Sequence, residues 1–231
     1  MRYFSLACDY DNTLADQGSV RDSTVAALRR LAATGRKLIL VTGRELDDLR
    51  QVFPAHEVFD RIIAENGAIL YNPCARLQKA LAGPPSLEFL EALRQAGVEP
   101  LSVGAAIVST CTPRDALVLR IIHDLGLDMQ VLYNRGSVMV LPSGVDKGSG
   151  LRAALADLGL SEQNTVAVGD AENDQALLDV CACRVAVANA IPALKDSADL
   201  VTSEPDGRGV EQVIEKLLFD DLRSVRFRRS R

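Results

Sequence analysis

Histidine is nearly missing from this chain. Only His56 and His123 occur among 231 residues, which argues against histidine-based catalysis and leaves too few side chains for a multi-histidine metal site. Cysteine is scarce and unpatterned. The five cysteines show no C-x-x-C spacing, and Cys181 and Cys183, two apart, suit neither a zinc knuckle nor a redox pair. All five read as small buried hydrophobes in a reducing cytoplasm. Long apolar runs are absent too. None approaches the roughly 18–20 residues that a membrane span needs. The first residues, MRYFSLACDY, are too short and too acidic at their end for a signal peptide. A cytoplasmic protein without a membrane partner is expected. A general basic excess is also lacking: the net charge is −5, so most of the surface offers no footprint for nucleic acid. The exception is RSVRFRRSR, with five arginines in the last nine residues. It reads as a solvated terminus, or else as a linker or a contact for an anionic partner.

What is present is an ordinary globular balance, 48% apolar and 25% charged, long enough for one large domain or a core carrying a smaller insertion. Strand and helix patterns alternate at first. Residues 3–8 read as a strand. A helix follows over DSTVAALRRLAATG, capped by Asp22 or Ser23 and stopped by Gly35. KLILVT, 37–42, is continuously apolar, as a parallel strand covered on both faces should be. A short helix then stops at Pro54, and two strands flank the Asn66–Gly67 turn signal.

After LAGPPS the texture changes to helix 87–96, strand 101–110, helix 114–125 and a hairpin of strands 129–134 and 137–141. Alternation resumes with helix 149–158, strand 165–168, helix 173–181, strand 184–188 and helix 209–218. The pattern predicts an α/β fold: a Rossmann-like, doubly wound parallel sheet built from 1–80 and 146–231, with an inserted α+β cap over 81–145.

Four polar clusters follow apolar strands or the return linker, where open α/β sheets bind ligands. In DYDNT, Asp9 and Asp11 lie roughly 6–7 Å apart if extended. That spacing suits one carboxylate as nucleophile on phosphorus (Asp9) and the other as general acid, then base (Asp11). The same letters also suit a loop of Asx turns. In LVTGR, Thr42 and the backbone N–H of Gly43 can hold a phosphoryl oxygen, or simply cap a strand-to-helix turn. Lys147, flanked by glycines in GVDKGSG, can neutralise a carboxylate and a phosphate, or be a solvated charge. In VAVGDAENDQALL, Asp170 and Asp174 share one face of a starting helix, where acids also favour the helix dipole. Three acids near one strand end would repel without a cation. Oxygen-only donors point to a hard one, Mg²⁺ foremost.

Taken together, D-x-D-x-T, the strand-ending Thr, the Lys after an insertion and G-D-x-x-N-D resemble the haloacid dehalogenase superfamily. ENGA at 65–68 and P-x-G-V-D-K-G at 142–148 resemble its Cof-type branch, which includes sucrose-phosphate, phosphomannose and phosphoglycolate phosphatases. The resemblance implies Asp9 as nucleophile and Asp11 as acid/base, the latter acid being what separates phosphatases from dehalogenases. It implies Mg²⁺ held by Asp9, the backbone carbonyl of Asp11 and Asp170, with Asp174 close by. Thr42, Gly43, Lys147 and Asn173 would hold the phosphoryl group, and Arg44 and Asn66 the rest of the substrate. In the cap, Cys111, Thr112, Arg114, Asn134 and Arg135 are the specificity candidates. The expected function is hydrolysis of a small phosphorylated metabolite. A phosphomutase and a non-catalytic binding module are the alternatives, and the oligomeric state is left open.

Overall fold

The computed structural model describes residues 1–225, so most of the arginine tail, from Arg226 on, lies outside the described residues. The chain starts with β1 (Ser5–Asp9), buried along its whole length. Helix α1 (Asp22–Ala32) follows, but neither Asp22 nor Ser23 caps it; the cap position is Arg21, without a side-chain bond. The hydroxyls of Ser23 and Thr24 donate instead to Glu211 on a distant helix, at 2.8 and 2.6 Å. Next come β2 (Lys37–Val41), α2 (Leu46–Val52), a 3₁₀ turn over Pro54–Val58, and β3 (Arg61–Ala64). A second 3₁₀ turn, Glu65–Gly67, leads into β4 (Ile69–Asn72) and then β5 (Leu77–Ala80). Strand β5 was not expected: its four residues are all exposed, so it carries no hydrophobic period.

The middle segment holds α3 (Leu87–Gln95), β6 (Ser102–Val103), β7 (Val108–Cys111), α4 (Asp115–Asp124), β8 (Met129–Asn134) and β9 (Ser137–Pro142). The expected strand 101–110 is therefore two strands with a turn at Gly104 between them. The last part contains α5 (Lys147–Leu158), β10 (Thr165–Gly169), α6 (Gln175–Val180), β11 (Cys183–Ala186), α7 (Pro192–Ser197), β12 (Leu200–Val201) and α8 (Asp206–Asp220). Helix α5 starts two residues earlier than the sequence suggests. Asp146 and Ser149 form a capping box there, which makes Lys147 the first helical residue.

Two sheets result. The larger has eight strands in the order β12-β11-β10-β1-β2-β3-β4-β5. It is parallel from β12 to β3, as the apolar runs require, and antiparallel at the β4 and β5 edge. Its central strands are covered on both faces. Each fully buried Leu, Ile or Val there contributes roughly 1.5–3 kcal/mol. The smaller sheet has the order β6-β7-β9-β8 and is antiparallel throughout. Phe89, Leu93, Val118 and Ile122 of α3 and α4 pack with Val108 and Val140 of this sheet in a separate apolar cluster. This sheet falls within the segment read as a cap.

The cysteine reading needs one correction. Cys8, Cys181 and Cys183 are buried, but Cys74 is exposed and Cys111 is half-buried. Cys74 lies in the turn before the solvent-facing β5, and Cys111 ends a strand of the small sheet. No helix among the described residues is long and apolar enough to cross a membrane.

Candidate active site

Register brings the strand ends together. Cys8 of β1 pairs with Val168 of β10, and Asp9 pairs with Val41 of β2. Asp9, Thr42 and Asp170 therefore emerge at one carboxyl edge although 161 positions separate the first from the last. Among the described residues, Asp9, Asp170 and Asp174 form an all-buried group whose nearest carboxylate oxygens lie within 4.8 Å of one another. Gly169 permits this: a Cβ there would sit 2.6 Å from Asp174 Cβ. Asp174 Oδ2 accepts the backbone N–H groups of Asp170 and Ala171 at 2.8 and 3.0 Å, which bends the chain back on itself.

Lys147 reaches into this group and is 1% exposed. Its ammonium donates to Asp9 Oδ1 at 2.5 Å and to Asp174 Oδ1 at 2.6 Å. Burial alone would push its pKa down, but Asp174 and Asp9 outweigh that and hold it above the ordinary lysine range. Asp9 is pushed well above the carboxylate range by burial first and by Asp174 second, with Lys147 opposing. Asp170 is raised by burial and by Asp174, with Arg135 opposing. The donor set is oxygen-only, buried and short of positive charge. It fits a divalent cation, with the carboxylates of Asp9, Asp170 and Asp174 as the groups that could hold it.

The side chain of Asp11 stands apart from the three-acid group. Arg44 holds it in a two-pronged pair, Nε to Oδ2 and Nη2 to Oδ1, both 2.8 Å. Arg44 also donates to Asp48 at 2.6 Å and lies over the Tyr10 ring, so its guanidinium is engaged within the protein. Thr42 is fully buried, and its hydroxyl oxygen accepts the Arg44 N–H at 3.1 Å, which leaves its O–H as a donor. Asn66 is fully buried as well: its Oδ1 accepts from Asn173 at 2.9 Å and its Nδ2 donates to Met139 Sδ at 2.8 Å. Asn173 Oδ1 has no partner among the described residues.

A cavity of about 420 Å³ opens between the two sheets, lined by Asp9, Asp11, Asn12, Gly43 and Arg44 below and Ser109, Asn134, Arg135, Ser137 and Met139 above. Cys111, Thr112 and Arg114 do not line it. Ser109, Ser137 and Met139 were not singled out from the sequence. The signal was there in the alternation of β7 and β9: Ser109 pairs with Met139, and Ser137, two residues before Met139, shares its face. Arg135, in the β8–β9 turn, reaches across and donates to Asp170 Oδ2 through Nε at 3.0 Å and Nη2 at 2.5 Å. Thr13 donates to the other oxygen of Asp170 at 3.2 Å. A larger depression of about 720 Å³ between β12 and α8 contains none of these groups.

This is the architecture of an α/β enzyme whose chemistry sits at the carboxyl edge of its sheet. The family model for haloacid dehalogenase-like hydrolase matches residues 6–103 and 115–214, and the chain belongs to that family. The resemblance drawn from the motifs thus holds. Phosphoglycolate phosphatase 2 of Saccharolobus solfataricus is 32% identical over 218 residues, 92% of this chain and 91% of that protein. Phosphoglycolate phosphatase of Methanothermobacter thermautotrophicus is 29% identical over 220 residues, covering 93% and 98%. The fold is shared with a haloacid dehalogenase-like hydrolase from Bacteroides thetaiotaomicron (TM-score 0.77, 19% identity, 93% and 99% covered). It is also shared with the subclass IIB sugar phosphatase BT4131 (TM-score 0.76, 20% identity, 92% and 98% covered).

Proposed function

We propose that this protein is a phosphoric monoester hydrolase acting on a small phosphorylated acid or sugar, with Mg²⁺ as its cation, in the cytoplasm. One observation carries the reading. Buried carboxylates from two strand ends meet around a buried lysine, and one of them, Asp9, lines a small cavity. In this reading Asp9 attacks phosphorus, the bond to the leaving oxygen breaks, and Asp11 gives that oxygen its proton. Asp11 then takes a proton from water, which attacks the aspartyl-phosphate and releases inorganic phosphate. For this, Asp11 turns one oxygen from Arg44 toward the leaving group, while Arg44 retains the other. Lys147 holds Asp9 in place and offsets charge on the phosphoryl group, with Thr42, Gly43 and Asn173 as further donors. Mg²⁺, held by Asp9, Asp170, the Asp11 carbonyl and, directly or through support, Asp174, would supply charge against the repulsion between carboxylate and phosphate.

The cavity's volume and its mostly polar lining, with no aromatic ring to stack a base, support a small substrate. Phosphoglycolate is the first to test, since the relatives above carry that name. The experiment measures phosphate release from p-nitrophenyl phosphate and phosphoglycolate with Mg²⁺, for the wild type and Asp9→Asn. Release by the wild type and none by the variant, at unchanged circular dichroism, is expected. Equal release by both would refute Asp9 as nucleophile. Isomerisation of a sugar phosphate without release would make the protein a mutase.

A further inference from the structure

Glu65 is 3% exposed, yet no cationic side chain pairs with it among the described residues. Its carboxylate instead accepts three backbone N–H groups from the β6–β7 turn of the small sheet. Oε1 takes Ala105 at 3.0 Å, and Oε2 takes Ala106 at 2.8 Å and Ile107 at 3.0 Å. A carboxylate taken out of water needs such donors, and bonds to a charged acceptor are the stronger kind. The fit is close: a Cβ on Gly104 would lie 2.9 Å from Glu65 Cδ.

The backbone around Glu65 faces the other way. Its N–H donates to the Arg44 carbonyl at 2.9 Å, and the N–H of Asn66 donates to the Thr42 carbonyl at 3.0 Å. Both residues sit in the left-handed region, at φ 50° and 51°, which aims their side chains away from β3 and toward the small sheet. Asn66 reaches Met139 there, and Met139 pairs with Ser109, two residues beyond Ile107. One dipeptide of the large sheet thus grips the loop carrying Thr42 and Arg44 through its backbone, and two segments of the small sheet through its side chains.

We infer that Glu65 is the positioning residue that docks the small sheet over Asp9, by clamping the 105–107 amides that must be released whenever the cavity opens. The inference concerns the same site as the proposed hydrolase, but its first test uses no substrate and so stands or falls separately. Amide hydrogen exchange is followed at Ala105, Ala106 and Ile107, and in β1 and β10 as controls, for the wild type, Glu65→Gln and Gly104→Ala. Glu65→Gln replaces one acceptor oxygen by a donor facing a donor. Gly104→Ala presses on the same contact from the other side, and on Ile107 Cγ2, also 2.9 Å away, while leaving the carboxylate intact.

The expected result is at least about tenfold faster exchange at 105–107 in each variant, with β1 and β10 unchanged and the double variant no faster than the faster single one. Unchanged exchange at 105–107, or equal loosening in β1 and β10, overturns the inference. Should Glu65→Gln fail to fold, Glu65→Asp, which keeps the charge but shortens its reach to the three amides, takes its place with the same expected and overturning results. In the active enzyme KM rises in proportion as the docked fraction falls, while kcat stays within about twofold. A fall in kcat at constant KM would count against the clamp.

Discussion

Lys147 Nζ lies 2.5 Å from Asp9 Oδ1, and both side chains are closed off from solvent. The same ammonium touches Asp174, so removing it strands two carboxylates without their counter-charge. Lys147→Met is therefore expected to cost about 3–5 kcal/mol of folding stability in the absence of a cation. It is also expected to lower kcat by about 10²–10³, as loss of a preorganised donor does. Urea titration and phosphate release measure the two. Full activity in this variant would detach Lys147 from the chemistry.

Burial, reinforced by Asp174, raises the pKa values of Asp9 and Asp170. Both groups hold protons more tightly folded than unfolded, so without a cation stability falls as pH rises above about 4, the unfolded carboxylate value. At neutral pH, Mg²⁺ should then raise the melting temperature and EDTA should reverse it. Linkage gives about 2.7 kcal/mol at a hundred times Kd. Asp170→Asn is expected to lose that rise in a thermal-shift assay; a rise of undiminished size would place the cation elsewhere.

The pair between Arg135 and Asp170 occupies a carboxylate that a cation would use. Arg135 is partly exposed, its side chain at 41%, so the pair is worth at most about 1 kcal/mol. Arg135→Gln should tighten Mg²⁺ binding by up to about fivefold, read by calorimetry on substrate-free protein. Weaker binding would mean that Arg135 helps to build the cation site rather than compete for it.

Asp221 joins the two ends of the core. Its carboxylate accepts the N–H groups of Arg2 and Tyr3 and the guanidinium of Arg36, the last at 2.9 Å. Burial opposes ionisation, but these donors prevail and hold the group below the ordinary carboxylate range. A depressed value means stability that is present above about pH 4 and lost as pH falls through the folded-state value. Asp221→Asn tolerates the left-handed backbone at this position (φ 61°) yet removes the charge. It should cost about 1.5–3 kcal/mol at pH 7. The gap to wild type should close in acid, as measured by urea unfolding at several pH values; a gap that persists in acid would deny the charge its role.

Local letters made some elements readable and not others. The unbroken apolar run of β2 read as a doubly covered strand, and the NRGS turn announced the β8–β9 hairpin. Strand β12 is two residues long and β5 is wholly exposed, so neither offers a period to detect. The break at Gly104 escaped notice because the amides after it are satisfied by Glu65, some forty positions earlier. The capping of α1 failed as an expectation for the same reason: Ser23 and Thr24 found a partner on α8.

By itself the sequence determined the chemical kit: which strand ends carry acids, where Lys147 falls in the return linker, and which hydroxyl and amide side chains accompany them. Only the tertiary structure decided how the kit is assembled. Asp174 braces the 170–171 turn and Lys147, Arg44 holds Asp11, and Glu65 grips the small sheet. The physical reason is that these partners are set by the register of β10, β1 and β2, and register follows from burying whole strand faces together, a choice no single stretch of residues makes alone.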